Sequence, residues 1–174
     1  MKGLPRSLGR AAQSLAGKAR APFAKHRINI NNVTVNVADG APGFGTAVIG
    51  DLPEGNILLL GAVGYINVRT SDADVIATFD GDVSVGTTPT ADNALSGTDV
   101  DILPSTALGA ATAKVSPTVR AVSTDAMGGG ILDNTDGAME VNLNLLIDDA
   151  SISGAAAFLA NGYVEIAYSR MGDD

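Results

Sequence analysis

Pairs of aspartates are the residues in this 174-residue sequence whose types and spacing could most readily do chemistry. Carboxylates are the oxygen ligands that Ca²⁺ prefers, but a calcium site needs about six to eight oxygens around one point. None of the pairs has the spacing of an EF-hand loop with its closing glutamate. In so acidic a chain, we interpret them as turn formers and solubilising groups. The pairs are Asp72 with Asp74, Asp80 with Asp82, Asp99 with Asp101, and Asp148 with Asp149.

Nucleophilic and phosphate chemistry also lack their usual residues. His26 is the only histidine, and it lies in a basic segment away from the predicted core, so we interpret it as a solvated surface residue rather than the base of a Ser-His-Asp triad. The chain has no cysteine, which excludes disulfides, thiolate metal sites and cysteine nucleophiles. It also has no Gly-x-Ser-x-Gly elbow, phosphate-binding loop with its lysine, or His-Glu-x-x-His motif. We therefore predict that the protein is not an enzyme and holds no cofactor or metal.

Electric charge divides the chain into two parts. Residues 1–27 carry a formal charge of +7, and no acidic residue occurs before Asp39. Residues 28–174 carry 4 basic and 19 acidic groups, a formal charge of −15. Such asymmetry is typical of a tail that meets an oppositely charged surface. We therefore predict a basic N-terminal arm over residues 1–27 and a separate body over residues 28–174.

The arm also has the apolar periodicity of a helix. Pro5 suits a first helical turn and Pro22 a stop, and we expect the segment to become ordered on a partner. The apolar stripe consists of Leu4, Leu8, Ala11, Ala12, Leu15 and Ala19. The residues predicted to contact the partner are Lys2, Arg6, Leu8, Arg10, Leu15, Lys18, Arg20, Lys25 and Arg27.

Four interpretations of the arm remain open at this point. It could bind an acidic protein surface, or it could bind nucleic acid or anionic lipid. It could be an organellar transit peptide, because it contains arginine, alanine and serine and no acidic residue. It could also be a solvated basic tail without a role, although the amphipathic stripe fits that interpretation poorly.

The body reads as a series of β-strands. Residues 28–37 alternate between apolar and polar types, with a break at Asn31-Asn32 that predicts a bulge. The nearly continuous apolar run from Ile57 to Val68 predicts a strand buried on both faces. Residues 115–122 predict a strand interrupted by Pro117, which either lies at a sheet edge or starts after the proline. Further strands are expected at 46–50 and from Ile131, and a short helical turn at 101–109.

Two dipeptides predict β-hairpins. Asn161-Gly162 and Asp80-Gly81 each lie between apolar-rich runs, and both residues of a type I′ turn must tolerate positive φ. Before Asn161-Gly162, the apolar residues Val141, Leu143 and Leu145 alternate with Asn142 and Asn144, which predicts a strand with one apolar and one polar face. The predicted fold is all-β: a single β-sandwich or jelly-roll-like body with an extended, partly helical basic N-terminal arm.

Nucleic acid and membrane are poor partners for this body. Its acidic charge would repel phosphates from all but the arm. The longest apolar run spans residues 57–68, whereas a membrane-spanning helix needs about twenty residues. Most of the aromatic residues lie inside apolar runs, so we interpret them as core rather than as a platform that stacks on sugars or bases. They are Phe23, Phe44, Tyr65, Phe79, Phe158, Tyr163 and Tyr168.

Two stretches resemble a family of viral proteins. Residues 83–102 read VSVGTTPTADNALSGTDVDI, and residues 141–154 read VNLNLLIDDASISG, followed by GYVEIAY at 162–168 and a closing Gly172-Asp173. These stretches resemble small structural proteins of tailed bacteriophages, known as decoration, cement or head-stabilising proteins. The resemblance covers about the C-terminal half.

The resemblance implies a structural role without catalysis. Proteins of this kind have β-sandwich or jelly-roll bodies, are often homotrimers, and sit on the capsid exterior at threefold and quasi-threefold positions. They bridge neighbouring subunits of the major capsid protein, and an extended arm along the capsid would fit residues 1–27. The alternatives are a carbohydrate- or receptor-binding β-module of a phage tail or cell surface, then an organellar protein with an uncleaved presequence, and lastly an enzyme.

Overall fold

The computed structural model describes residues 23–123 and 131–172, and nearly all of its regular structure is β-strand. Two single-turn 3₁₀ helices, Gly97–Asp99 and Asp149–Ser151, lie in connecting segments. The strands are β1 Ala24–Ala38, β2 Gly43–Asp51, β3 Gly55–Arg69, β4 Gly81–Gly86, β5 Leu103–Ala107, β6 Val119–Val122, β7 Ile131–Asn134, β8 Glu140–Ile147 and β9 Ala156–Gly172.

These strands form a single antiparallel sheet that curls into a nearly closed barrel. Their order is β5-β4-β8-β2-β1-β9-β3-β6, and β7 also pairs with β3. The two ends of this order, β5 and β6, approach each other and almost close the ring. The predicted all-β, sandwich-like body is confirmed, whereas the predicted helical part of the arm lies outside the described residues.

The interior is filled by the inward face of every long strand. In β1 and β9, buried Ile28, Ile30, Val164 and Ile166 alternate with polar residues that face outward. Phe158 of β9 meets Phe79 edge-on in the core, with ring centroids 5.3 Å apart. Burial of such side chains is the main favourable contribution to folding, at about 25 cal/mol per Å² of apolar area.

Strand β1 begins at Ala24, four residues before the predicted start of the body. Its register against β9 shifts between Asn31 and Val33, so the predicted bulge is confirmed, and Asn32 adopts a φ of 51°. The interpretation of His26 as a solvated residue of the arm is wrong. His26 is half-buried within β1 and pairs with buried Ile166 of β9.

The hairpin predicted at Asn161-Gly162 is wrong, because β9 runs unbroken through both residues. Gly162 has a φ of +138°, and a Cβ added there would collide with the carbonyl oxygen of Tyr65 on β3. The Asn161 side-chain oxygen accepts a hydrogen bond of 3.0 Å from the backbone N–H of Asn32 at the β1 bulge. Asn161 therefore stabilises the β1 bulge, and Gly162 allows the close approach of β3. Neither residue reverses the chain.

Other predictions about single elements had mixed outcomes. The hairpin at Asp80-Gly81 is wrong, because the preceding residues form no strand and Phe79 is packed into the core. Residues 101–109 contain β5 rather than a helical turn, and β3 is buried on one face instead of two. The strands predicted at 28–37, at 46–50 and from Ile131 are confirmed, as is an edge strand after Pro117.

The polar face of β8 is buried, which its alternating sequence did not predict. Asn144 has no exposed surface, because the segment from residue 87 to 101 folds across it. Its side-chain oxygen accepts a hydrogen bond of 2.9 Å from the Thr90 N–H. Its amide group donates to the carbonyls of Thr88 and Asp99, at 3.1 and 3.0 Å. Asn144 thus fastens this covering segment to the barrel.

Replacing Asn144 with alanine should lower the free energy of unfolding by about 2–3 kcal/mol, because the Thr90 N–H and the Thr88 carbonyl lose a hydrogen bond and the Asp99 carbonyl keeps only the one from the Ser84 hydroxyl. Asn142 is a matched control, since it is equally buried but makes one long hydrogen bond of 3.5 Å to Thr87. Asn142→Ala should cost about 1 kcal/mol or less. Urea unfolding of both variants measures the difference, and equal losses would contradict the assigned role of Asn144.

Replacing Gly162 with alanine should lower the free energy of unfolding by about 3 kcal/mol, because the added methyl meets backbone as well as an unfavourable φ. Gly97 also has positive φ, +61°, but nothing lies within 4 Å of an added Cβ. Gly97→Ala should therefore cost only about 1 kcal/mol. Similar thermal melting shifts for the two variants would mean that β3 does not approach Gly162 closely.

Candidate docking face

One outer surface of the barrel gathers arginines and tyrosines across β1, β9, β3 and β6. We call it the Arg–Tyr face. It is exposed because no part of the described chain folds across it, in contrast to the outer side of β8. Its residues are Lys25, Arg27, Tyr65, Arg69, Arg120 and Tyr163.

The strand register builds the centre of the Arg–Tyr face. Tyr163 of β9 lies between Asn29 of β1 and Tyr65 of β3, and Tyr65 in turn lies opposite Arg120 of β6. The two tyrosine rings have centroids 5.2 Å apart and are tilted by 36°. Cross-strand neighbours of this kind interact directly on a sheet surface. The pairing therefore creates one row of side chains that crosses four strands.

Arginines flank the tyrosine pair on both sides. The guanidinium carbon of Arg27 lies 3.7 Å from the centre of the Tyr163 ring, and that of Arg120 lies 6.0 Å from the centre of the Tyr65 ring. The Arg27 Nε also donates to the Asn29 side-chain oxygen at 3.2 Å. Each cation–π contact at an exposed site is worth about 0.5–1 kcal/mol. These contacts hold the guanidinium groups in place while both arginines remain exposed.

Two further cations lie on the same face. The Lys25 Nζ donates to a carboxylate oxygen of Glu165 at 2.7 Å. This hydrogen bond, then the charge of Lys25 and that of Arg27, lowers the pKa of Glu165. The Arg69 side chain donates to the Asn32 side-chain oxygen at 2.8 Å, beside the β1 bulge.

The Arg–Tyr face is positive on an otherwise acidic body. Within residues 23–123 and 131–172 there are sixteen acidic residues and six lysines or arginines. Four of those six cations lie on this face, and Glu165 is the carboxylate among them. The face therefore offers positive charge and oriented N–H donors, a combination that suits carboxylate or other anionic groups.

Two of the predicted arm residues, Lys25 and Arg27, belong to β1 and lie on the Arg–Tyr face. The other predicted arm residues, Lys2, Arg6, Leu8, Arg10, Leu15, Lys18 and Arg20, lie outside the described part of the chain.

The interpretation of the aromatic residues as core is right for Phe79 and Phe158 and wrong for Tyr65 and Tyr163. Sequence reasoning also missed Arg120 as a member of a site. The sequence signal for the outward position of Tyr163 was its alternation with the apolar Val164 and Ile166. That alternation becomes visible once Gly162 is placed within a strand instead of a turn.

The aspartate pairs are engaged in local structure. The carboxylate of Asp72 accepts the backbone N–H groups of Asp74 and Ala157, and these hydrogen bonds lower its pKa. Burial raises the pKa of Asp101, although Thr87 donates two hydrogen bonds to it. Among the described residues, no three His, Cys, Asp or Glu side chains converge on a point suited to a metal ion. None of the described helices has the length and hydropathy to cross a bilayer.

No protein-family model and no curated protein matches this sequence. Similar folds occur among solved structures of viral capsid proteins. A subviral particle of infectious bursal disease virus VP2 has 9% identity and a TM-score of 0.44, with 86% of this chain and 33% of that chain covered. The capsid of Ralstonia phage GP4 has 15% identity and a TM-score of 0.37, with 98% of this chain and 90% of that chain covered. The tobacco streak virus coat protein has 12% identity and a TM-score of 0.36, with 88% of this chain and 90% of that chain covered.

These matches do not establish a family. All three TM-scores lie below 0.5, and the sequence identities are those of unrelated chains. The chain also spans only about a third of the length of the infectious bursal disease virus chains that it matches. The likeness concerns the β-rich fold and carries no argument about function.

Replacing Lys25 with methionine should raise the midpoint of the Glu165 titration, because the hydrogen bond and charge that lower its pKa are removed. A lowered pKa in the folded state stabilises the protein above the unfolded value, and that stabilisation is lost as pH falls through the folded value. NMR titration of the Glu165 side chain checks the shift. Arg170→Met is the matched control and should leave the midpoint unchanged, and an unchanged midpoint in Lys25→Met would contradict the ion pair.

Proposed function

We propose that this chain is a structural protein of a virion that binds the outer surface of a bacteriophage capsid. It stabilises the shell by bridging neighbouring subunits of the major capsid protein, with the N-terminal arm as a clamp. The observation that carries the proposal is the Arg–Tyr face, which gathers four of the six described cations on one side of an acidic body. The resemblance of residues 83–102 and 141–154 to phage decoration proteins supports the same role.

The charge distribution favours attachment in one orientation. The Arg–Tyr face and the basic arm would meet an acidic surface of the major capsid protein, while the acidic remainder faces away. Charge complementarity of this kind steers association and fixes the orientation of the bound partners. The acidic remainder also keeps free copies soluble and apart.

The rigidity of the face supports docking. Its side chains stand on four hydrogen-bonded strands, and the contacts with Tyr163 and Tyr65 restrict Arg27 and Arg120 before any partner arrives. A preorganised surface loses less conformational entropy on binding than a flexible one. Less of the binding free energy from each carboxylate contact is therefore lost to ordering the arginine side chains.

The basic arm adds further positive charge next to the Arg–Tyr face. Residues 1–22 lead into β1, whose Lys25 and Arg27 belong to the face. Once the body is docked, the arm binds at a high effective concentration because it is tethered. A homotrimer, which the resemblance implies, would multiply these contacts on the shell. We expect no direct binding of nucleic acid, because the acidic remainder of the body would repel its phosphates.

A second candidate function is a carbohydrate- or receptor-binding module. Two half-buried tyrosines lie at the centre of the face, and Asn29, Asn31, Asn67 and Asn161 lie around them on the same strands. Amides and aromatic rings side by side on a sheet surface suit the hydroxyl groups and apolar faces of sugars. The shell-binding experiment distinguishes this function from the first.

Reversing the charge of Arg120 should weaken binding to the shell at least tenfold, or about 1.4 kcal/mol. The test mixes full-length protein with purified phage shells that lack it and measures co-sedimentation. Arg170→Glu is the matched control, because it makes the same charge change on an exposed residue outside the face. It should bind and melt like the wild type, whereas Arg120→Glu should stay folded with only a small drop in melting temperature from the lost contact with Tyr65.

Raising the salt concentration in the same assay should weaken wild-type binding, because the Debye length falls from about 10 Å at 0.1 M to about 3 Å at 1 M. Equal losses in Arg120→Glu and Arg170→Glu would show that the face is not the contact. If the wild type fails to bind shells, the capsid role is wrong, and a glycan array becomes the test of the second candidate.

A further inference from the structure

Exposed apolar side chains cluster at one end of the outer sheet surface. Seven large apolar residues of the described chain are at least 43% exposed, and four of them lie at this end. Phe23 and Ile131 are each 54% exposed, and Met171 is 57% exposed. We call this cluster the apolar end. Its residues are Phe23, Leu58, Leu60, Ile131 and Met171.

The strand register brings these residues side by side. Leu58 of β3 lies opposite Ile131 of β7 on one side and Ser169 of β9 on the other. Phe23 directly precedes Ala24, the partner of Tyr168, and so lies next to Ser169. Leu60 and Met171 are the extra residues at the two register shifts between β3 and β9. The apolar end is therefore a continuous strip across three strands and the start of β1.

Acidic residues border the strip. Asp133 faces the same outer side of β7 as Ile131, because Leu132 between them packs against the core. Its carboxylate accepts hydrogen bonds from the Thr135 hydroxyl and N–H, which lower its pKa and keep it charged. Glu54 precedes β3, and Asp136 lies in the turn after β7. An occupant that crosses the β7 side of the apolar end would thus need apolar residues with positive charges beside them, whereas Lys25 and Arg170 lie on the opposite side.

The chain itself contains such a segment. Residues 1–22 carry three leucines at helical spacing, Leu4, Leu8 and Leu15, together with five lysines or arginines and no acidic residue. This segment joins the described structure at Phe23, inside the apolar end. Strand β9 continues four residues beyond the Ala24–Tyr168 pair, and no described strand flanks it on the β1 side there. The segment therefore starts at the surface that its composition fits.

We propose that, in the free protein, residues 1–22 pack on the apolar end of their own chain. Leu8 and Leu15 cover Ile131 and Met171, and the basic side chains lie toward Asp133, Asp136 and Glu54. The covalent link at Phe23 makes this an intramolecular contact with a high effective concentration. It also covers a strip that would otherwise promote association between copies.

This inference concerns the free protein and does not depend on the proposed capsid. A shell that binds the arm would compete with the apolar end for the same residues. The arm packed on its own chain would then leave the apolar end when it binds a shell surface with higher affinity. Failure of shell binding leaves the contact in the free protein untouched, so the two proposals fail separately.

Paired cysteines test the contact, and the natural chain has none to interfere. The variant Leu15→Cys with Ile131→Cys is oxidised mildly as dilute full-length protein, and mass spectrometry of non-reduced digests identifies the bond. We expect an intramolecular disulfide that forms at least fivefold faster than in a control with Ile76→Cys. Ile76 is 48% exposed and lies near the opposite end of the barrel, beside Ser151.

Two results would overturn the inference. Equal rates with Ile131→Cys and Ile76→Cys would show that the arm does not favour the apolar end. Disulfides formed mainly between chains would show that the strip receives the arm of a second copy. If Ile131→Cys melts below the wild type before oxidation, Leu15→Cys with Met171→Cys repeats the test on a residue with even greater exposure.

Discussion

Strand β9 must be hydrogen-bonded on both sides along most of its length, and the rest of the structure depends on this constraint. Its pairing with β1 and β3 sets which residues face the core and which face solvent. Gly162 permits the close approach of β3, and the Asn161 side chain fills the gap at the β1 bulge. If β9 turned back at these residues, Phe158 and Val164 could not lie in one interior, and Tyr163 would not meet Tyr65.

One outer side of the barrel is covered by a segment of the chain, and the other is exposed. Over β8, the segment from 87 to 101 covers the surface and is fixed by Asn144, so the strand itself is not exposed on that side. Over β1, β9, β3 and β6, no described segment intervenes, and the Arg–Tyr face remains open. A partner is therefore expected on the open side. The polar residues of the covered side hold the protein's own loop, whereas those of the open side bond to one another and remain exposed.

The open side combines two surfaces that favour different partners. Its centre has positive charge on tyrosine rings, which suits an acidic protein surface, and its apolar end has an acidic border, which suits the basic N-terminal segment. The arm is attached where these surfaces meet. We propose that the arm packs on the apolar end in the free protein and joins the Arg–Tyr face at the shell in the bound protein.

The sequence by itself determined the features that depend on local pattern. These are the all-β class, the bulge after Asn31, the edge strand after Pro117 and the separation of a basic segment from an acidic body. Only the tertiary structure decided the role of Asn161-Gly162, the burial of Asn144 and the meeting of Tyr65 with Tyr163. Local patterns cannot specify these features, since each depends on which distant strand or loop lies alongside. A turn-forming dipeptide stays within a strand when pairing on both sides stabilises the chain more than a reversal would.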